Sequence, residues 1–236
     1  MHCALAAALL LAAPVAKVGG PVPILVELFT SEGCSSCPPA DAVLARLVRE
    51  QPVRDVEIVA LSEHVDYWDS LGWRDPYSSP VFTRRQEAYA SQLGRGTIYT
   101  PQLVVDGRAD VLGSDQAAAR YAAAAAAVAP HGTLKARREG KTLHLEAALP
   151  AHSGADVLVA AVDDPPAARV ERGENAGRTL SHVRVVRELL RVGRADGTAW
   201  SADVQLDGRA AGLRLVAFAQ EHGSGRVLAA TSVPPP

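Results

Sequence analysis

Cys34-Ser35-Ser36-Cys37 is the segment of this chain whose residue types and spacing are suited to chemistry. Two cysteines separated by two residues bring their sulfurs within bridging distance. A thiolate is the attacking species in disulfide exchange, and an ordinary thiol titrates near ~8.5. Pro38-Pro39 follows the pair, and then Asp41 to Glu50, where Val43, Leu44, Leu47 and Val48 recur at helical spacing. Proline is tolerated in a first helical turn because its missing N–H is unpaired there anyway. The spacing therefore predicts Cys34 at an exposed lip ahead of a helix, where amide donors and the positive end of the dipole favour an anion. Cys34 is expected to be the nucleophile. Cys37, one turn in, is expected to attack the mixed disulfide and release the substrate. Zinc and copper sites use the same spacing, so a metal-binding or metal-delivery protein built on Cys34, Cys37 and His64 is the alternative. A bridge closing so short a loop gives little loop-closure stabilisation, which argues against a purely structural role.

The elements that must position the pair are legible around it. Ile24 to Phe29 is an apolar run interrupted by Glu27 and reads as a buried strand of a parallel sheet. Val56 to Ser62 is a second strand. His64 to Asp75 is a polar and aromatic stretch, with Tyr67, Trp68 and Trp73, that is expected to wall the thiol site. In it His64 is positioned to stabilise a thiolate, and with Trp68 and Thr100 it is a candidate substrate-binding residue. Val81 to Gln92 reads as a helix. Gln102 to Val105 is a strand turned by Asp106-Gly107 into its partner, Ala109 to Leu112. Ser114 or Asp115 caps a helix running through Ala129. The order β-α-β-α-β-β-α is that of a thioredoxin-like domain and predicts an α/β fold for residues 21–130. From Pro130-His131-Gly132 the texture changes to short alternating strands with turn signals and no long helix. Residues 131–236 are therefore expected to form an antiparallel β-sandwich.

Composition narrows the function classes. The formal charge of -2 and the lack of a basic stripe exclude a nucleic-acid partner. Ala4 to Ala13 is an unbroken apolar run, too short for the ~20 residues that span a bilayer and suited to the h-region of a secretory signal peptide. Residues 1–20 are accordingly expected to be a signal peptide, the mature chain to carry no membrane span, and the protein to be periplasmic or secreted. Cys3 leaves with such a leader, which makes Cys34 and Cys37 the sole intramolecular pair. No G-x-S-x-G, phosphate-loop or dinucleotide motif appears, and no cofactor is expected.

Two segments resemble the signatures of thioredoxins: Ile24-Leu25-Val26-Glu27 leading to Cys34-Ser35-Ser36-Cys37, and Gly96 to Gly107 with Thr100-Pro101 ahead of Gln102-Leu103-Val104-Val105. The resemblance implies a cis Pro101 facing the pair and an acidic residue on the preceding strand. Glu27 resembles that acid, with one extra residue between it and the first cysteine. Phe29 to Asp41, His64 to Asp69, Gly72-Trp73, Asp75-Pro76 and Arg85-Gln86 are further similar to a bacterial family of secreted thioredoxin-like proteins defined by a domain of unknown function. Asn175 to His182 also resembles that family, with no chemical role attached. The family resemblance implies the fold and the pair but no substrate; the first reading of the chain is an exported thiol–disulfide oxidoreductase with Cys34, Cys37, Pro101 and Glu27 as catalytic residues. Its expected partners are protein thiols or disulfides, with a membrane redox protein as a further candidate. A binding module that recruits a partner through the sandwich, with the pair a relic, is a third reading.

Overall fold

The structure, a computed structural model, describes residues 20–150, 154–208 and 210–236; the expected signal peptide and Cys3 lie outside them. The first half follows the expected order: β1 (Val22–Thr30), α1 (Pro38–Glu50), β2 (Val56–His64), α2 (Pro80–Gln92), β3 (Gln102–Val105), β4 (Ala109–Leu112) and α3 (Gln116–Ala127). Local chemistry sets the helix ends. Pro38 and Pro39 open α1. Ser79 accepts from the amide of Val81 ahead of Pro80 at the start of α2, and Asp115 accepts from the amide of Ala118 at 2.9 Å to cap α3. β1 is central, parallel to β2 and antiparallel to β3, which pairs with β4.

The second half contributes β5 (Thr133–Glu139), β6 (Thr142–Ala148), β7 (Ala155–Asp163), β8 (Ala168–Arg169), β9 (Thr179–Leu180), β10 (Val185–Ala195), β11 (Ala199–Gln205), β12 (Arg214–Glu221) and β13 (Val227–Val233). The sequence places a boundary near residue 131 with a self-contained sandwich beyond it. The hydrogen bonding differs, because β10 joins β2 in parallel at Val185↔Ser62 and the Ser62 amide donates to Arg184 O at 2.8 Å. One eight-stranded sheet therefore runs β13-β12-β7-β10-β2-β1-β3-β4 across both halves. Against its second-half portion packs a three-stranded sheet, β11-β6-β5, with Leu143, Leu145, Val157, Val159 and Leu215 between the layers.

Strand parity sorts the side chains of the large sheet into two faces. Ile24, Val26 and Leu28 of β1, with Ile58 and Ala60 of β2, pack under α1 and α3. Leu25 and Phe29 of β1, with Leu61 of β2, pack on the opposite face against Phe82 and Tyr89 of α2 and against Val162, Val216 and Phe218 of the second half. The sheet curls, so that β13 comes back to β1: the Val227 amide donates to Asp106 O at 2.9 Å, and His131 Nε2 lies 2.6 Å from Asp106 Oδ2. Gly107 sits at this contact with φ +62°, and a Cβ there would come within 2.0 Å of Gly225 O, so only glycine fits.

Glu27 and Glu63 fall on the curled, apolar face. Arg85 Nε donates to Glu27 Oε1 at 2.6 Å and lies 3.4 Å from Glu63 Oε1, and the Tyr89 hydroxyl donates to Glu27 Oε2. One guanidinium cannot neutralise two buried carboxylates. Burial, and then the neighbouring Glu27 charge, push the Glu63 carboxyl well above the usual carboxylate range, which favours its neutral form. A carboxyl with a raised folded-state pKa contributes stability below its unfolded pKa of ~4.3 and loses it as pH rises through the folded value. Glu63→Gln should therefore flatten the fall in unfolding free energy above pH ~4.3, as measured by urea melts across pH. Arg85→Met should instead lose about 3–5 kcal/mol by leaving Glu27 uncompensated. An unchanged pH slope in Glu63→Gln would contradict the assignment.

Candidate functional site

The cysteine pair sits where β1 ends and α1 begins. Cys34 and Cys37 form a disulfide, with Cys37 at the N-cap of α1. Ser35 and Ser36 are exposed, but both cysteines are buried. This corrects the expectation that Cys34 stands at an exposed lip. What covers it comes from two directions. Trp68 Nε1 donates to Thr100 Oγ1 at 2.9 Å, and that hydroxyl donates to Cys34 Sγ at 3.4 Å. Ser36 Oγ lies 3.3 Å from the same sulfur. The Thr100–Pro101 bond is cis, and Pro101 is buried at the start of β3. Trp68, Thr100, Pro101 and the two cysteines are thus brought together.

The second cover is the loop between β8 and β9. Asn175, fully buried, donates its amide protons to Glu32 O at 2.8 Å and Cys34 O at 2.9 Å, while its own oxygen accepts from Arg178. Glu174 accepts from the Ser35 amide at 3.0 Å, and the Ser35 hydroxyl, then this amide, hold its carboxyl below the usual range. A loop from the second half of the chain therefore fixes the backbone of the pair, and the Asn175 to His182 segment has a structural task.

Glu27 is not brought to the pair. Its side chain points to the α2 face of β1, whereas α1 packs on the other face. Its position on β1, two residues from Leu25 and from Phe29, puts it on their face. His64, expected in a wall of the thiol site, does not face solvent. It is buried, with Nδ1 held 2.7 Å from Asp75 Oδ2, and Asp75 Oδ2 also accepts from the Glu32 amide at 2.7 Å. Burial opposes ionisation of Asp75, but His64 and these donors outweigh it and lower its pKa.

The structure adds a cluster of groups behind the pair that motif reading does not isolate. His182 lies with Nδ1 3.6 Å from Asp41 Oδ2 and Nε2 3.5 Å from Glu32 Oε1. Its ring meets His64 edge-on, with centroids 4.7 Å apart. Burial pulls the His182 pKa down, but the Asp41 and Glu32 carboxylates outweigh it and raise it to about 10, so His182 is an imidazolium at neutral pH. Thr30 Oγ1 donates to Asp41 Oδ1 at 3.0 Å, and Trp73 Nε1 donates to Glu32 Oε2 at 2.7 Å. Asp41 shares a face of α1 with Cys37, four residues earlier. Among the described residues no group of three or more His, Cys, Asp or Glu side chains converges as a metal site.

The chain belongs to the family described as a protein of unknown function (DUF1223), which it matches over residues 25–220. It is also similar to the crystal structure of protein AGR_C_4864 from Agrobacterium tumefaciens. The TM-score is 0.78 at 28% identity, over 92% of this chain and 96% of that one. No curated protein matches the chain.

Asn175→Ala removes the bonds to Glu32 O and Cys34 O. Glu32 O is left unpaired, while Cys34 O keeps the Cys37 amide at 3.2 Å, so stability should fall by about 1–3 kcal/mol. It should also speed alkylation of Cys34 in the reduced protein, measured by iodoacetamide kinetics. Unchanged alkylation alongside a normal fold would show that the loop does not guard the sulfur.

Proposed function

We propose that this protein is an exported thiol–disulfide oxidoreductase acting on protein thiols or disulfides through Cys34 and Cys37. The observation that carries the reading is the convergence of two hydroxyls, Thr100 Oγ1 at 3.4 Å and Ser36 Oγ at 3.3 Å, on the sulfur of Cys34. When the pair is reduced these donors stabilise a Cys34 thiolate, to which the N-terminus of α1 adds its dipole. The fold reading that goes with it is a thioredoxin-like unit, β1 to α3, in which β1 and β2 run parallel and β3 and β4 return antiparallel. The sandwich-like second half extends its sheet.

In this reading the Cys34 thiolate attacks one sulfur of a substrate disulfide and displaces the other as a thiolate. Cys37 then attacks Cys34 Sγ, breaks the mixed disulfide and leaves the Cys34–Cys37 bridge. The reverse sequence oxidises a substrate dithiol, and the potential of the partner sets the direction. The apolar leader-like run supports a periplasmic or secreted site of action, where disulfides persist. A membrane redox protein is a candidate for resetting the pair. Among the described residues no helix is long and apolar enough to cross a membrane.

Cys37→Ser should accumulate mixed disulfides between Cys34 and envelope proteins, seen as dithiothreitol-sensitive bands on non-reducing gels. Cys34→Ser should accumulate none. If neither variant traps a partner while the purified wild type carries stoichiometric zinc or copper, the metal-binding reading takes its place.

A further inference from the structure

Exchange at this pair requires that a proton leave Cys37 before it attacks and return when the bridge is reduced. The acid on β1 does not serve, because Glu27 is committed to Arg85 and Tyr89 on the opposite face of the strand. We propose that Asp41 is the proton acceptor for the Cys37 thiol, and that His182, supplied by the second half of the chain, is the positioning residue that holds it there. The assignment rests on the thiol-exchange function proposed for the pair.

Three observations converge. Cys37 has helical φ and ψ, so Cys37 and Asp41 are successive residues along one face of α1, with Cβ atoms about 5–6 Å apart. The Asp41 carboxyl is fixed from both sides, by the Thr30 hydroxyl at 3.0 Å on Oδ1 and by His182 Nδ1 at 3.6 Å on Oδ2. Both nitrogens of His182 and Oε1 of Glu32 are buried with no closer hydrogen-bond partner, so the ring is committed to this carboxylate pair alone. The groups facing His182 are Asp41 from α1, Glu32 from the loop after β1, and His64 with its partner Asp75. Tyr77, ahead of α2, completes them. Asp41 also lines the open groove between α1 and the segment 178–181, which is a route for its proton to water.

In the mixed disulfide between Cys34 and a substrate protein, the Cys37 S–H proton passes to the Asp41 carboxylate. The Cys37 thiolate forms the bond to Cys34 Sγ as the Cys34–substrate bond breaks, and the substrate sulfur leaves as a thiolate with that electron pair. The pair is oxidised by two electrons and the substrate disulfide, counted over both steps, is reduced by two. Asp41 then releases its proton through the groove. The reverse direction returns the proton to Cys37.

A test that does not depend on turnover is the titration of Cys37 in the full chain with Cys34→Ser, followed by thiolate ultraviolet absorbance. Removing the negative charge with Asp41→Asn should lower the Cys37 pKa by about one unit or more. Removing the positive charge with His182→Gln should raise it. A merely structural role gives no such opposition of sign. Asp41→Asn keeps an oxygen for Thr30, so its shift stands by itself if His182→Gln fails to fold. A Cys37 titration unmoved by Asp41→Asn, or moved upward by it, overturns the proposal. Because the thiol titrates whether or not the protein exchanges disulfides, loss of the exchange reading and loss of this one are separately visible.

Discussion

Asn175 donates both protons of its amide to backbone carbonyls on either side of Gly33, and the geometry of the cysteine pair depends on those two bonds. The segment from Thr30 to Cys37 leaves a strand and enters a helix through a turn whose carbonyls are buried. The turn makes two bonds of its own, Cys34 N–H to Ser31 O and Cys37 N–H to Cys34 O, both 3.2 Å, and these leave Glu32 O, which would cost about 1–3 kcal/mol unpaired, to be satisfied from outside. A loop from the far end of the chain supplies the donors, and Asp75 supplies the acceptor for the Glu32 amide. The second half is in this sense part of the site and not an appendage beside it.

The same dependence appears in the electrostatics. Two groups of buried charges lie on opposite faces of β1. On the α2 side Arg85 holds Glu27 and leaves Glu63 with a raised pKa. On the α1 side His182 stands between Glu32 and Asp41, directly behind the pair. Isolated buried carboxylates are expensive, and each group is tolerable only because a cation from another element reaches it. The cation on the α1 side comes from the second half. The curl that returns β13 to β1, with Gly107 against Gly225, closes the other face over Arg85.

Much of this architecture is legible in the residues. β1, α1, β2, α2, the β3–β4 hairpin and α3 follow from hydrophobic period, paired prolines, an Asp-Gly turn and an Asp115 cap. The second-half strands are also marked by alternation. Their union with the first sheet has no such mark. The joining strand β10 meets β2 at one register pair, Val185↔Ser62, which no hydrophobic period marks. Of the site, Cys34, Cys37, Trp68, Thr100 and Pro101 are brought together as their motifs suggest. Glu27 points elsewhere because its place on β1 puts it on the α2 face with Leu25 and Phe29, and Cys34 reads as exposed because its covering loop is 141 residues away. Asn175, His182, Glu32 and Asp41 carry no local signal. Each is an ordinary polar residue until the fold sets them around the pair.

Reversible exchange of Cys34 and Cys37 with protein thiols is the central claim, and the equilibrium of the purified full chain with graded glutathione redox buffers tests it most directly. The expected result is a metal-free pair with a midpoint inside the range of known exchangers, roughly −270 to −120 mV. A pair that stays oxidised below about −300 mV, as structural disulfides do, or that never equilibrates, would contradict it.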